Sequence, residues 1–204
     1  MENPLDVLVL ESEPQAAATA AAALEAAGHH VHRCHDEGAR AFPCRGLDAD
    51  ACPLESGRID VALTVRARPR SVPGLLEDGI TCALQHRIPV VVSGHTALHP
   101  FADHATTVVE PHGDVVAAVE STAIGALRAH EELAAEIARS VLVGHGFEEP
   151  EVFARARRRQ GVVSIHLIVA TEVDRKTRDM IGTRVHTALR RFDRHARQID
   201  IAVG

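Results

Sequence analysis

The chain has 204 residues, 46% hydrophobic and 25% charged, enough for one domain with a sizeable core or for two small ones. Net charge is −6 and aromatics make up only 2%, so it lacks the overall positive charge and the stacking side chains that general nucleic-acid binding uses. No run approaches the roughly 20 apolar residues of a membrane span. The Ala-rich run over 16–27 has no basic flank before it, which predicts a helix rather than a signal peptide and a cytoplasmic, membrane-free protein.

In chain order, "DVLVL" (6–10) is an apolar run that predicts a strand, and the Ala-rich helix after it carries Leu24 and stops at Gly28. "HVHRC" (30–34) predicts a second strand, with His30, His32 and Cys34 on one face. Residues 38–58 carry Gly, Pro, Asp and Cys without helical periodicity and read as a long ordered loop. "IDVALTV" (59–65) is the third strand, "LLEDGITCALQHR" (75–87) a helix, "IPVVVSG" (88–94) the fourth strand and "TTVVEP" (106–111) the fifth. A helix begins near Gly113 and Asp114. Strands apolar on both faces that alternate with helices call for a parallel sheet covered on both sides.

Beyond Gly125 the pattern changes. Leu133, Ile137 and Val141 recur every fourth residue in a helix that ends at "GHG" (144–146). "EVFARARRRQG" and "VVSIHLIVATEV" flank a Gln160–Gly161 turn and predict a hairpin. A helix from Asp174 to about Phe192 and a strand "QIDIAVG" follow. The expected architecture is α/β: a flavodoxin-like five-stranded parallel sheet over about residues 1–122, then a small α+β (αββαβ) domain over about 128–204.

The first part resembles the receiver domain of bacterial response regulators. "VLVLESEP" is similar to the family's first strand and acidic pair, "VRARP" to its phosphoacceptor loop, "PVVVSGH" to its fourth strand, and "VVEP" to its fifth strand with Lys-Pro. The resemblance implies ligand chemistry at the carboxyl ends of the strands, and there the residues depart from the family. Glu11 and Ser12 stand where two magnesium-binding acids are expected, and Val65 replaces the nucleophilic aspartate. Gly94 stands where a hydroxyl residue is expected, and Glu110 replaces the lysine. A valine has no lone pair to attack phosphorus, and a carboxylate in place of lysine repels a phosphoryl group. This pocket is expected not to transfer phosphate.

Four cysteines, Cys34, Cys44, Cys52 and Cys82, all fall in the first part. In a 2-1-3-4-5 strand order the loop after strand two and the helix after strand three lie on one side of the sheet, so the four could converge, with His35 as a spare nitrogen ligand. The spacing has no Cys-x-x-Cys pair. Three readings stand: a zinc ion or iron–sulfur cluster, a Cys44–Cys52 bridge, or ordinary thiols. Arg155, Arg157, Arg158 and Arg159 form the only basic cluster, read as a solvated hairpin tip ahead of a nucleic-acid contact.

The second part is similar, in element order and in "GVVSIHLIVATEVDRKTRDMIGTRV", to the cytoplasmic domain of cation-diffusion-facilitator transporters. That resemblance implies dimerisation, with His166 as the matching histidine for any metal binding. The favoured expectation is a non-catalytic regulatory or scaffold protein, a pseudo-receiver acting through protein contacts in a homo-oligomer. The competing expectations are a metal- or redox-sensing binding protein built on the cysteines, and a nucleic-acid-binding regulator.

Overall fold

Every residue of Val61–Arg66 is buried, as its unbroken apolar run predicts, and this strand (β3) lies at the centre of a five-stranded parallel sheet. The structure is a computed structural model that describes residues 4–36, 40–49, 51–56, 58–159, 161–194 and 196–204. The side chains of Asp48, Ala49 and Arg159 are also outside the described set. The other strands are β1 (Asp6–Glu11), β2 (His30–His32), β4 (Val90–Gly94) and β5 (Thr107–Val109), in the order β2-β1-β3-β4-β5. All four neighbouring pairs are parallel. This is a flavodoxin-like α/β core.

Alternation along the strands sends side chains to two separate apolar layers. Val7, Val9, Val61, Leu63 and Val91 pack on one face with Leu24 of α1 (Ala18–Ala26) and Val119. Leu8, Leu10, Ala62, Val90 and Val92 pack on the other with Leu54, Ile59, Ile80 and Ala83. Each fully buried Leu or Val contributes about 1.5–3 kcal/mol, so the two layers make the sheet's position robust.

Several elements differ from the sequence reading. The segment over 38–58 is not wholly irregular, because Arg45–Ala49 forms a short helix, α2. The second strand stops at His32, so Cys34 lies beyond it. The helix expected over 75–87 divides into a 3-10 turn, Leu75–Glu77, and α3, Gly79–Gln85. Two helices expected on either side of Gly125 are one, α4 (Val115–Gly144). A single interior glycine costs only about 1 kcal/mol relative to alanine, too little to break a helix flanked by Ala, Leu and Arg.

The chain divides into two compact units, 1–124 and 125–204. In the second, β6 (Val152–Arg159) pairs antiparallel with β7 (Val162–Val169), and β8 (Gln198–Val203) adds to β7 in parallel. The parallel pairing needs a crossover, supplied by α5 (Arg175–Phe192), whose N-terminus is capped where the Asp174 carboxylate accepts from the Thr177 N–H at 2.8 Å. Val163, Ile165 and Leu167 pack on Ile181, Val185 and Leu189 of α5 and on Ala134, Ala138 and Leu142. The fully buried stripe of this part of α4 is thus turned by one residue from Leu133, Ile137 and Val141, which flank it half-buried.

Candidate functional site at the carboxyl ends of the first sheet

With the order β2-β1-β3-β4-β5, all strands run the same way but the order of strand addition switches sides between β1 and β3, and the carboxyl ends of those strands form the natural ligand crevice of such a fold. The register sets Glu11 beside Val65 and Val65 beside Ser93. Val65 is buried at 9% exposure. Its side chain is a hydrocarbon with no lone pair to act as a nucleophile.

The neighbouring polar groups are engaged locally. The Ser12 N–H donates to the Val65 carbonyl at 3.1 Å, and its buried hydroxyl accepts from the Ala67 N–H at 3.4 Å. Ser12 therefore bridges the ends of β1 and β3. Glu11 accepts from the Ala17 N–H at 3.2 Å, just ahead of α1, so its carboxylate supports a helix start. Glu110 accepts from the exposed Thr96 hydroxyl at 3.4 Å.

Gly94 has a structural reason to lack a side chain. Its φ is +88°, and a Cβ there would stand 2.2 Å from the Arg66 carbonyl oxygen. That carbonyl also accepts from the His95 N–H at 3.0 Å. Gly94→Ala is expected to destabilise the first unit by at least about 1–3 kcal/mol, read as a lower denaturation midpoint. A midpoint unchanged within error would show that the β4 turn can relax.

The residues that dominate this end of the sheet are Arg66 and Glu77, which the sequence reading did not single out. Both side chains are fully buried. Arg66 Nε donates to Glu77 Oε1 at 2.8 Å and Nη2 to Oε2 at 2.7 Å, a bidentate fork. Arg66 also donates to the carbonyls of Arg70 and Val72, and Glu77 accepts from the Gly74 N–H at 2.8 Å and the Thr64 hydroxyl at 3.4 Å. The guanidinium thus ties the loop after β3 back to its own strand. A buried charge must be paired in this way, since desolvating it alone costs several kcal/mol.

His99 completes the cluster. Its side chain is fully buried, with Nε2 4.0 Å from Glu77 Oε1, and Nδ1 accepts from the Phe101 N–H at 3.2 Å. That bond places the ring proton on Nε2, which has no hydrogen-bond partner. Burial first, then the Arg66 charge, push its pKa down to about 4, while Glu77 pulls the other way.

On the other side of the sheet, the segment after β2 brings the thiols together. The Arg45 N–H donates to the Cys34 carbonyl at 2.9 Å, docking the start of α2 on the end of the strand segment. Cys34 is buried in the apolar layer, and Cys44 and Cys52 pack against it. A Cβ on Gly46 would meet Cys52 Cβ at 2.9 Å, and one on Gly79 would meet Cys34 Sγ at 2.9 Å, so α2 and α3 both press on cysteines. Burial, then the charges of Cys52, Cys44 and Cys82, push the Cys34 thiol up to about 12. Burial, Cys52, Cys44 and Asp78 likewise raise that of the exposed Cys82. The four thiols therefore share one locality. Among the described residues, however, no group of three or more His, Cys, Asp or Glu side chains is preassembled to hold a metal ion.

Other sequence candidates do not converge. His30 is exposed, and His32 Nε2 pairs with Asp6 Oδ1 at 2.7 Å, so the His30, His32 and Cys34 face is not a ligand set. The basic cluster splits by strand alternation. Arg155 and Arg157 are exposed, opposite His166 and Ser164, whereas Arg158 turns inward to the Asp193 carboxylate. The Arg159 side chain and the Gln160 half of the expected turn lie outside the described residues. His130 Nε2 reaches the same carboxylate at 3.1 Å. Burial alone would raise the Asp193 pKa, but the His130 hydrogen bond and the Arg158 charge hold it well below the usual carboxylate range.

No helix among the described residues is long and apolar enough to cross a membrane. Compared with known proteins, the chain matches no protein-family model and no curated sequence.

Proposed function

We propose that this is a non-catalytic regulatory or scaffold protein whose first unit is a pseudo-receiver acting through protein contacts. The observation that carries the reading is the end of β3, where buried Val65 takes the nucleophile's place and the Arg66–Glu77 pair clamps the following loop. The buried Arg66 cation is matched by an internal carboxylate, which favours one arrangement of the loop that follows β3. A module of this kind presents a fixed surface. The second unit, similar in element order to the cytoplasmic domain of cation-diffusion-facilitator transporters, is proposed to pair subunits into a homo-oligomer.

Incubation with acetyl phosphate and magnesium is expected to leave the intact mass unchanged. Val65→Asp alone is also expected to stay unmodified, because Glu110 contributes a negative charge where an acyl phosphate needs a positive one. A hydroxylamine-labile adduct on the unsubstituted protein would overturn the reading. So would sedimentation as a monomer at all accessible concentrations, for the pairing half of it.

A further inference from the structure

Among its described residues, the segment between β2 and β3 buries few large apolar side chains for its length. Of its large apolar side chains, Leu54 and Ile59 are buried, whereas Phe42 and Leu47 are 68% and 70% exposed. Ordering a chain costs backbone entropy at every residue, and two buried aliphatic side chains return only a part of it. What the segment does bring inward is sulfur. Cys44 and Cys52 flank α2 and pack on Cys34 and its apolar neighbours, while Cys82 comes from α3, whose first residue, Gly79, abuts the Cys34 sulfur.

We propose that Cys34, Cys44, Cys52 and Cys82 bind one zinc-class divalent cation, which pins the β2–β3 segment to α3. Four thiolates are a complete tetrahedral donor set for such an ion, and thiolate softness selects zinc over magnesium or calcium. The four are free thiols and, among the described residues, form no closed ligand group, so binding has to draw them together. His35 lies beside Asp78, as Cys82 does, and its buried Nδ1 has no hydrogen-bond partner. It is the nearby group able to hydrogen-bond a ligand sulfur once the site closes.

Binding exchanges thiol protons for the cation: zinc enters as the aqua ion, up to four S–H bonds lose protons to buffer, and four Zn–S bonds form. No oxidation state changes. Affinity should therefore fall as pH falls.

The test is native mass spectrometry and elemental analysis of the full chain, purified without chelator and then loaded with zinc. The expected result is one zinc per chain, lost in Cys44→Ser/Cys52→Ser and at least roughly tenfold weaker in Cys82→Ser, measured against a chromophoric chelator. Cys82 is exposed, so its replacement leaves the fold intact even if Cys34→Ser does not. Cobalt loading of the full chain should give the visible bands of a tetrahedral thiolate site, and chelation should speed alkylation of Cys44 and Cys52. Sub-stoichiometric zinc after loading, unchanged affinity in Cys82→Ser, an intact mass two protons light, or an iron–sulfur chromophore would each overturn the proposal. None of those outcomes bears on the pseudo-receiver reading, because Val65, Arg66 and Glu77 take no part.

Discussion

Glu77→Ala is expected to cost the first unit about 3–5 kcal/mol of unfolding free energy, the largest effect of any single substitution at the candidate site. Removing the carboxylate leaves Arg66 charged, at 1% exposure, with the Arg70 and Val72 carbonyls as its remaining acceptors. It also orphans the Gly74 N–H, which Glu77 now satisfies at 2.8 Å. The penalty is thus the cost of an uncompensated buried charge, not the net worth of the pair. A control separates the two. Arg66→Met combined with Glu77→Leu removes both charges and is expected to recover most of the loss, because well-packed apolar replacements of a buried pair are close to neutral. The chain has no Trp or Tyr, so hydrogen exchange of first-unit amides read by mass spectrometry is the suitable measurement. A loss under about 1 kcal/mol in Glu77→Ala would show that the loop after β3 opens to hydrate Arg66.

Acidification is expected to destabilise the first unit between about pH 6.5 and about pH 4 through His99. In the unfolded chain this imidazole titrates near 6.5, whereas in the fold burial and the Arg66 charge bring it down to about 4. Within that window the unfolded state binds more protons than the folded state, so stability rises with pH and is lost as pH falls. The loss approaches roughly 3 kcal/mol at the low end and grows no further below it. The neutral ring accepts from Phe101 through Nδ1 and cannot gain a second proton without setting an imidazolium next to Arg66. His99→Gln is expected to flatten first-unit stability across this window whatever it does to the absolute value. A slope that persists in His99→Gln would assign the acid sensitivity elsewhere. The second unit should respond lower on the scale. Asp193 is held ionised by His130 and Arg158, so its contribution is present above the ordinary carboxylate pKa and fades as pH drops through and below it.

What the sequence by itself determined follows from periodicity. The run 61–65 is apolar on both faces, and only a central strand between two layers can bury both, which is where β3 sits. The order of strands and helices likewise selected a parallel sheet for the first unit and an αββαβ order for the second, whereas the parallel pairing of β8 with β7 came from the fold. That the strand carries valine at position 65 is plain from the sequence, and its burial follows from the same apolar run. Tertiary structure decided what has no local signature. Arg66 and Glu77 are eleven residues apart on different elements, and nothing in "VRARP" or "LLEDG" marks one as the other's partner until the loop between them folds back. Arg158 and its neighbours read as one basic cluster, yet strand alternation divides Arg157 from Arg158, and the carboxylate waiting on the inner side, Asp193, lies 35 positions on. The continuity of α4 across Gly125 and the exposure of Phe42 and Leu47 belong to the same class. Propensity and hydrophobicity weigh a residue against water, while these outcomes weigh it against neighbours that only the folded chain supplies.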